Sequence, residues 1–220
     1  MANRLLIVVG AGPGISLATA RRFGAEGYIV GLVARRQQTL EKFRDELAAA
    51  GVRTIYRVAD CTCDADLSAA LKEIQVEAGL PADVLLYNAA NIKWKELLSE
   101  TAPALVADFA VNVAGALTAV QAVLPALRAA NRGTLLFTGS SFSANPVPAF
   151  GSLSIGKAGL RSLAHSVAKS LDKTAIRVHY LSIQGRVTPE DPQRSPDAIA
   201  ERCWQLHAGA ARSAATDVEI

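Results

Sequence analysis

Leu5-Leu6-Ile7-Val8-Val9-Gly10-Ala11-Gly12-Pro13-Gly14-Ile15-Ser16 is the stretch on which the fold turns. Its first five residues form an unbroken apolar run. That is the pattern of a strand covered on both faces, as in a parallel sheet. A glycine-rich turn follows, then a helical pattern from about Gly14 to Glu26 with Gly27 as its stop signal. Glycines at such a turn let backbone approach a ligand closely. The helix start adds unpaired N–H groups and the positive end of its dipole, so the turn is suited to a pyrophosphate. Glycine spacing alone is weak evidence; its place between a first strand and a first helix gives it weight.

The same alternation continues outward. Tyr28–Ala34, Thr54–Val58, Val84–Tyr87, Thr134–Thr138 and Ile176–Ile183 read as strands, and the tail Ala215–Ile220 as a seventh. Helical spacing is carried by Leu40, Phe43 and Leu47, by Leu67, Leu71 and Ile74, and by Leu160, Leu163 and Val167. One uninterrupted helix is expected over Pro103–Ala129 and a last one over Pro196–His207. Strand–helix alternation predicts an α/β fold of the Rossmann type: a doubly wound parallel sheet of about seven strands with helices on both faces. No low-complexity linker divides the 220 residues, so one dinucleotide-binding domain over 1–220 is expected.

Composition narrows the function. Half the residues are hydrophobic and a fifth charged, which excludes a disordered chain. The net charge of +3 is scattered, with no Lys/Arg run beyond pairs such as Arg35-Arg36, and predicts no nucleic-acid partner. Cys61, Cys63 and Cys203 make neither a disulfide framework nor a metal site. Met-Ala-Asn-Arg runs straight into Leu5–Val9, too short a core for a signal peptide, and no apolar run approaches a membrane span. A cytoplasmic chain with no membrane partner is expected.

In such a sheet the ligand sits beyond the carboxyl ends of the strands, so the residues following each strand are the candidates. After the first strand, Gly10-x-x-x-Gly14-Ile15 resembles the glycine motif of the short-chain dehydrogenase/reductase family, with Ser16 in place of its last glycine. After the second come Ala34, Arg35 and Arg36. A carboxylate there would bond a ribose 2′-OH and repel a 2′-phosphate; arginine forks match phosphate geometry. That resembles the family's NADP-preferring pattern and implies NADP(H) rather than NAD(H). Asp60 resembles the family's adenine-contacting acid, with Cys61 beside it, and Asn88-Ala89-Ala90 resembles its Asn-Ala-Gly motif. Asn112 stands where the family shapes its helix and holds a relay water. Ser140 matches the family's catalytic serine, with Ser141 an alternative. Gln184-Gly185-Arg186-Val187 resembles its Pro-Gly segment, which meets the nicotinamide.

Leu153-Ser154-Ile155-Gly156-Lys157 departs most from the family. Positions 153 and 157 share a helix face. The family pattern is Tyr-x-x-x-Lys, in which the lysine grips the nicotinamide ribose and lowers the tyrosine pKa. Here Lys157 is kept and Leu153 replaces the tyrosine. The resemblance, from about Leu5 to Val187, implies an NAD(P)-dependent oxidoreductase with an altered proton relay, its proton coming from Ser140, Lys157 or water. Small substrates needing little acid help, such as activated alkenes, imines or iminium ions, suit it. A non-redox catalyst (an isomerase or cyclase) or an NADP(H)-binding regulatory protein is the alternative, since fold alone does not separate them. The short segment Thr188–Pro196 leaves the pocket open or completed by a second subunit. Ala/Leu-rich helices at Leu117–Leu127 and Leu160–Leu171 imply a homodimer or homotetramer.

Overall fold

The apolar runs become seven strands of one parallel sheet, in the order β3-β2-β1-β4-β5-β6-β7. The strands are β1 (Arg4–Val9), β2 (Tyr28–Ala34), β3 (Thr54–Val58), β4 (Ala82–Tyr87), β5 (Gly133–Thr138), β6 (Ile176–Ser182) and β7 (Asp217–Glu219). The computed structural model describes residues 4–209 and 215–220. The Met-Ala-Asn opening, used above to argue against a signal peptide, lies outside the described residues.

Helices cover both faces, which is why the strands lack polar alternation. Leu5, Ile7 and Val9 of β1 enter a core shared with α3 (Asp64–Ala78), α5 (Gly115–Ala130) and α6 (Gly151–Ser170). Leu6 and Val8 point the other way, into a core with α1 (Ile15–Ala25), α2 (Gln37–Ala49) and α7 (Pro196–Ala208). β1 pairs with β2 on one side and β4 on the other. The strand order therefore reverses between them, and a crevice opens between the loops that follow β1 and β4.

Two expectations are corrected. The long helix is interrupted: α4 (Ala102–Phe109) passes through a π-helical turn, Ala110–Ala114, before α5 begins. The extra residue of a π turn shifts the helical phase, and Phe109 and Leu117, read as part of one apolar side with Val120, are exposed while Val120 is buried. And the whole stretch Ala102–Ala130, 29 residues, is long and apolar enough by length and composition to cross a membrane. Its apolarity is used inside the protein: Ala116, Ala119, Val120, Val123 and Leu127 are buried in the sheet-facing core.

At the amino ends of the strands a buried polar group joins four elements. The Tyr28 hydroxyl of β2 lies 3.1 Å from Asp83 Oδ2 of β4 and 2.5 Å from His207 Nε2 of α7. His207 Nδ1 lies 2.8 Å from Thr134 Oγ1 of β5. Burial pushes the His207 imidazole down to about 4, against the pull of Asp83.

Candidate active site

The turn after β1 is shaped by what it must pass. Gly10 has φ +84, and a Cβ there would stand 2.3 Å from the Ala89 backbone nitrogen, so only glycine fits between the loops after β1 and β4. Gly10 and Ala11 both donate their N–H groups to Val33 O, folding the turn over β2. A Cβ at Gly12 or Gly14, by contrast, would meet nothing within 4 Å. Gly14 caps α1 with no side-chain hydrogen bond, and no carboxylate occupies the helix's first turn. Leu17 N–H turns back to Gly12 O (3.2 Å), and the start of α1 has open space beside Gly12 and Gly14, an arrangement that suits an anion.

A cleft of ≈ 200 Å³ opens beside this turn, lined by Gly10, Arg35, Arg36, Asp60, Cys61, Asn88 and Ala89 among others. Arg35 and Arg36 are exposed, and no carboxylate engages their guanidiniums among the described residues. Asp60 accepts from the Thr62 N–H (2.9 Å) and hydroxyl (2.8 Å). Those bonds, with Arg35 nearby, hold its carboxyl below the usual range. Cys61 is buried, which raises its thiol pKa. Gly14, Ile15, Asn112, Ser140, Lys157, Gly185 and Val187 lie outside this lining.

A line of hydrogen bonds runs from the glycine turn to Lys157. Ser16 Oγ donates to Gly10 O (2.9 Å) and accepts from Asn88 Nδ2 (2.7 Å). Asn88 Oδ1 accepts from Thr138 Oγ1 (2.7 Å), and Thr138 O accepts from Lys157 Nζ (2.7 Å). Lys157 is 7% exposed. Burial alone pushes its ammonium down to about 8. Leu153, one turn earlier on α6, is buried as well.

Ser140 is tied to the same helix through a residue the sequence reading did not single out. Its N–H donates to Tyr180 Oη (3.1 Å), and the Tyr180 hydroxyl donates to Lys157 O (3.2 Å). A Cβ on Gly139 would strike the Tyr180 ring at 2.1 Å. A glycine next to the strand-end serine was the one available signal. Ser140 Oγ accepts from Phe142 N (3.1 Å) in a short 3₁₀ turn. Asn112 lies in the π turn, where its Oδ1 accepts from Asn91 N (2.9 Å) and its buried Nδ2 has no partner. Gly185, at φ +88, follows β6. The segment after it is tied back by Arg194, which donates to Gln184 O (2.7 Å) and pairs with Asp191.

The residues around the β1/β4 crevice fit a dinucleotide: a glycine turn with open space over a helix start, unengaged guanidiniums beyond β2, and an acid beyond β3. Sheet, crevice and turn together define a dinucleotide-binding protein of the Rossmann type. Residues 4–197 match the short chain dehydrogenase family, and the chain belongs to that family of oxidoreductases. It is 29% identical over 182 residues to oxidoreductase asL5 of Sarocladium schorii, spanning 83% of this chain and 72% of that protein. Over 205 residues it is 31% identical to 3-dehydrosphinganine reductase TSC10A of Arabidopsis thaliana, spanning 90% of this chain and 61% of that one. Its fold is similar to a crystal structure of a metagenomic short-chain oxidoreductase in complex with NADP. There the TM-score is 0.89 at 28% identity, covering 99% of this chain and 96% of the other.

Proposed function

We propose that this protein is an NADP(H)-dependent oxidoreductase of small molecules whose proton relay works without the family's tyrosine. The observation that carries this is Lys157, buried without a carboxylate partner and one helical turn from Leu153, which has no proton to give. Gly10, Gly14, Ile15 and the start of α1 would hold the pyrophosphate, and Arg35 and Arg36 the 2′-phosphate. Asp60 and Cys61 would flank the adenine, and Asn88, Ala89, Lys157, Gly185 and Val187 the nicotinamide half. The similar metagenomic oxidoreductase solved with NADP supports the phosphorylated cofactor. When bound, the nicotinamide supplies or accepts a hydride.

The protein's own residues then have to manage one proton. Ser140 positions the substrate oxygen. Lys157, its acidity increased by burial to a pKa of about 8, is charged at neutral pH and close to the optimum strength for a general acid there. Asn112, with an unpartnered buried amide donor, would order a water next to it. Substrates whose reduction needs little acid assistance suit such a site best.

Replacing Leu153 by tyrosine tests the reading. If the site is a reductase lacking its phenol, Leu153→Tyr gains NADPH-dependent ketone reduction, approaching the ~10²–10⁴-fold range of general acid catalysis, with NADPH affinity unchanged. Tyrosine is larger and can overpack the site, so a structure of the variant accompanies the assay. A phenol in place beside Lys157, NADPH bound, and no gain in rate would overturn the proposal. The same reading makes the protein a homodimer or homotetramer. Val106, Phe109, Leu117 and Ile155 on α4, α5 and α6 are exposed apolar residues that a second copy would cover.

A further inference from the structure

A cavity of ≈ 450 Å³ opens at the amino ends of the strands, the far end of the sheet from the cleft beside the glycine turn. Three guanidiniums from three separate segments line it: Arg4 at the start of β1, Arg132 in the turn before β5, and Arg177 on β6. Sheet order brings them together. β1, β4, β5 and β6 are consecutive, and Thr134 pairs with Val84 on one side and with Arg177 on the other. The floor is polar and buried: Asp83, Thr134 and His207 all line the cavity. Trp204 of α7 forms a wall, its ring edge-on to Tyr28 at 5.9 Å.

One carboxylate stands among three cations, an excess of two positive charges. Asp83 lies 3.5 Å from Arg132 Nε and 3.9 Å from Arg4 Nη1, and it accepts from the Tyr28 hydroxyl at 3.1 Å. The two ionic separations exceed the roughly 2.7–2.9 Å of a charge-assisted hydrogen bond. Arg4 Nη1 donates instead to the Tyr28 hydroxyl (3.3 Å), and Arg177 donates to His207 O, a neutral carbonyl. Among the described residues, no second carboxylate pairs with any of the three. Their charge is felt in the floor: after burial, and against the pull of Asp83, Arg177 and Arg4 hold the His207 imidazole neutral. Planar guanidinium forks match carboxylate and phosphate oxygens. The volume falls in the range of small-molecule sites, about 300–1,000 Å³.

We infer that this cavity is a second ligand site, for a small organic anion carrying at least two carboxylate or phosphate groups. Arg4, Arg132 and Arg177 meet its oxyanions, and Trp204 meets its carbon frame. The site is separate from the β1/β4 crevice and does not depend on the reductase reading.

Trp204 is one of two tryptophans in the chain, so in a Trp94→Phe background its fluorescence reports this cavity. Citrate and inorganic pyrophosphate are the carboxylate and phosphate probes, titrated into NADP⁺-saturated protein at constant ionic strength, with sodium chloride as control. A saturable change with at least one probe is expected, and the tighter of the two identifies the preferred group. Arg132→Ala and Arg177→Ala should each weaken binding by about ten- to a hundredfold, the range for a lost hydrogen bond to a charged group. Arg132 has a side chain 65% exposed, so Arg132→Glu reverses a charge without disturbing the floor and should abolish binding. Arg35→Ala, in the other cleft, should leave it unchanged. No saturable change with either probe, a response that chloride reproduces, or full binding in Arg132→Glu would overturn the inference. So would binding lost in Arg35→Ala and kept in Arg132→Ala, since the anion would then sit at the other end of the sheet.

Discussion

Arg35 is the residue on which cofactor choice is expected to rest. It is exposed, faces the cleft and follows Ala34, where an acid would have repelled a 2′-phosphate. A hydrogen bond to a charged group contributes about 1.5–3 kcal/mol. Arg35→Ala should therefore weaken NADPH by roughly ten- to a hundredfold and leave NADH nearly unchanged, as titration calorimetry with both cofactors would show. Equal losses for the two would remove Arg35 from the 2′-phosphate site. Single residues were also where the sequence was most legible. Gly10, Arg35, Asp60 and Asn88 were all readable as strand-end positions, and the structure gathers them on one cleft. Tyr180 and Thr138 were not readable. Each looks like an ordinary strand residue, and its role comes from a hydrogen bond to a residue distant in sequence.

At the scale of elements, the π turn Ala110–Ala114 and α6 are fitted to each other. A Cβ at Gly156 would lie 2.5 Å from Asn112 Nδ2 and 2.7 Å from its Cβ. Gly156→Ala is therefore expected to cost about 1–3 kcal/mol by overpacking, in spite of alanine's better helix propensity. In a chain of this size that lowers the melting temperature by roughly 2–12 °C. Differential scanning calorimetry showing no loss would mean the π turn yields easily. Continuous apolar runs located the strands and helical spacing most of the helices, because each buries a face or both faces in the core. Spacing failed at this turn, where Leu105, Phe109, Leu117 and Val120 fit one continuous helix equally well. The ion pairs of Lys93 and Lys95 with Asp108 and Glu100 lay beyond it too, because carboxylates in loops and on α4 carry no period.

For the molecule as a whole, the two ends of the sheet do different work. The carboxyl ends carry the candidate site; the amino ends are fastened by Tyr28, Asp83, Thr134 and His207. The folded chain keeps His207 neutral down to about pH 4, whereas an unfolded chain protonates it near 6.5. Between those values the unfolded state binds more protons, so the contribution of His207 is intact above pH 6.5 and is lost as pH falls toward 4. Thermal melts across that window should show His207→Gln with a shallower decline than the parent; parallel declines would clear His207 of the role. The line from Ser16 through Asn88 and Thr138 to Lys157 spans α1, β4, β5 and α6. A glycine at position 16 would take from the half-buried Asn88 amide its 2.7 Å acceptor and leave it the longer 3.4 Å bond to Gly10 O, at a cost of about 0.5–1.5 kcal/mol. The serine hydroxyl acts as a latch: it ties the glycine turn to the end of β4, so that opening one is expected to loosen the other.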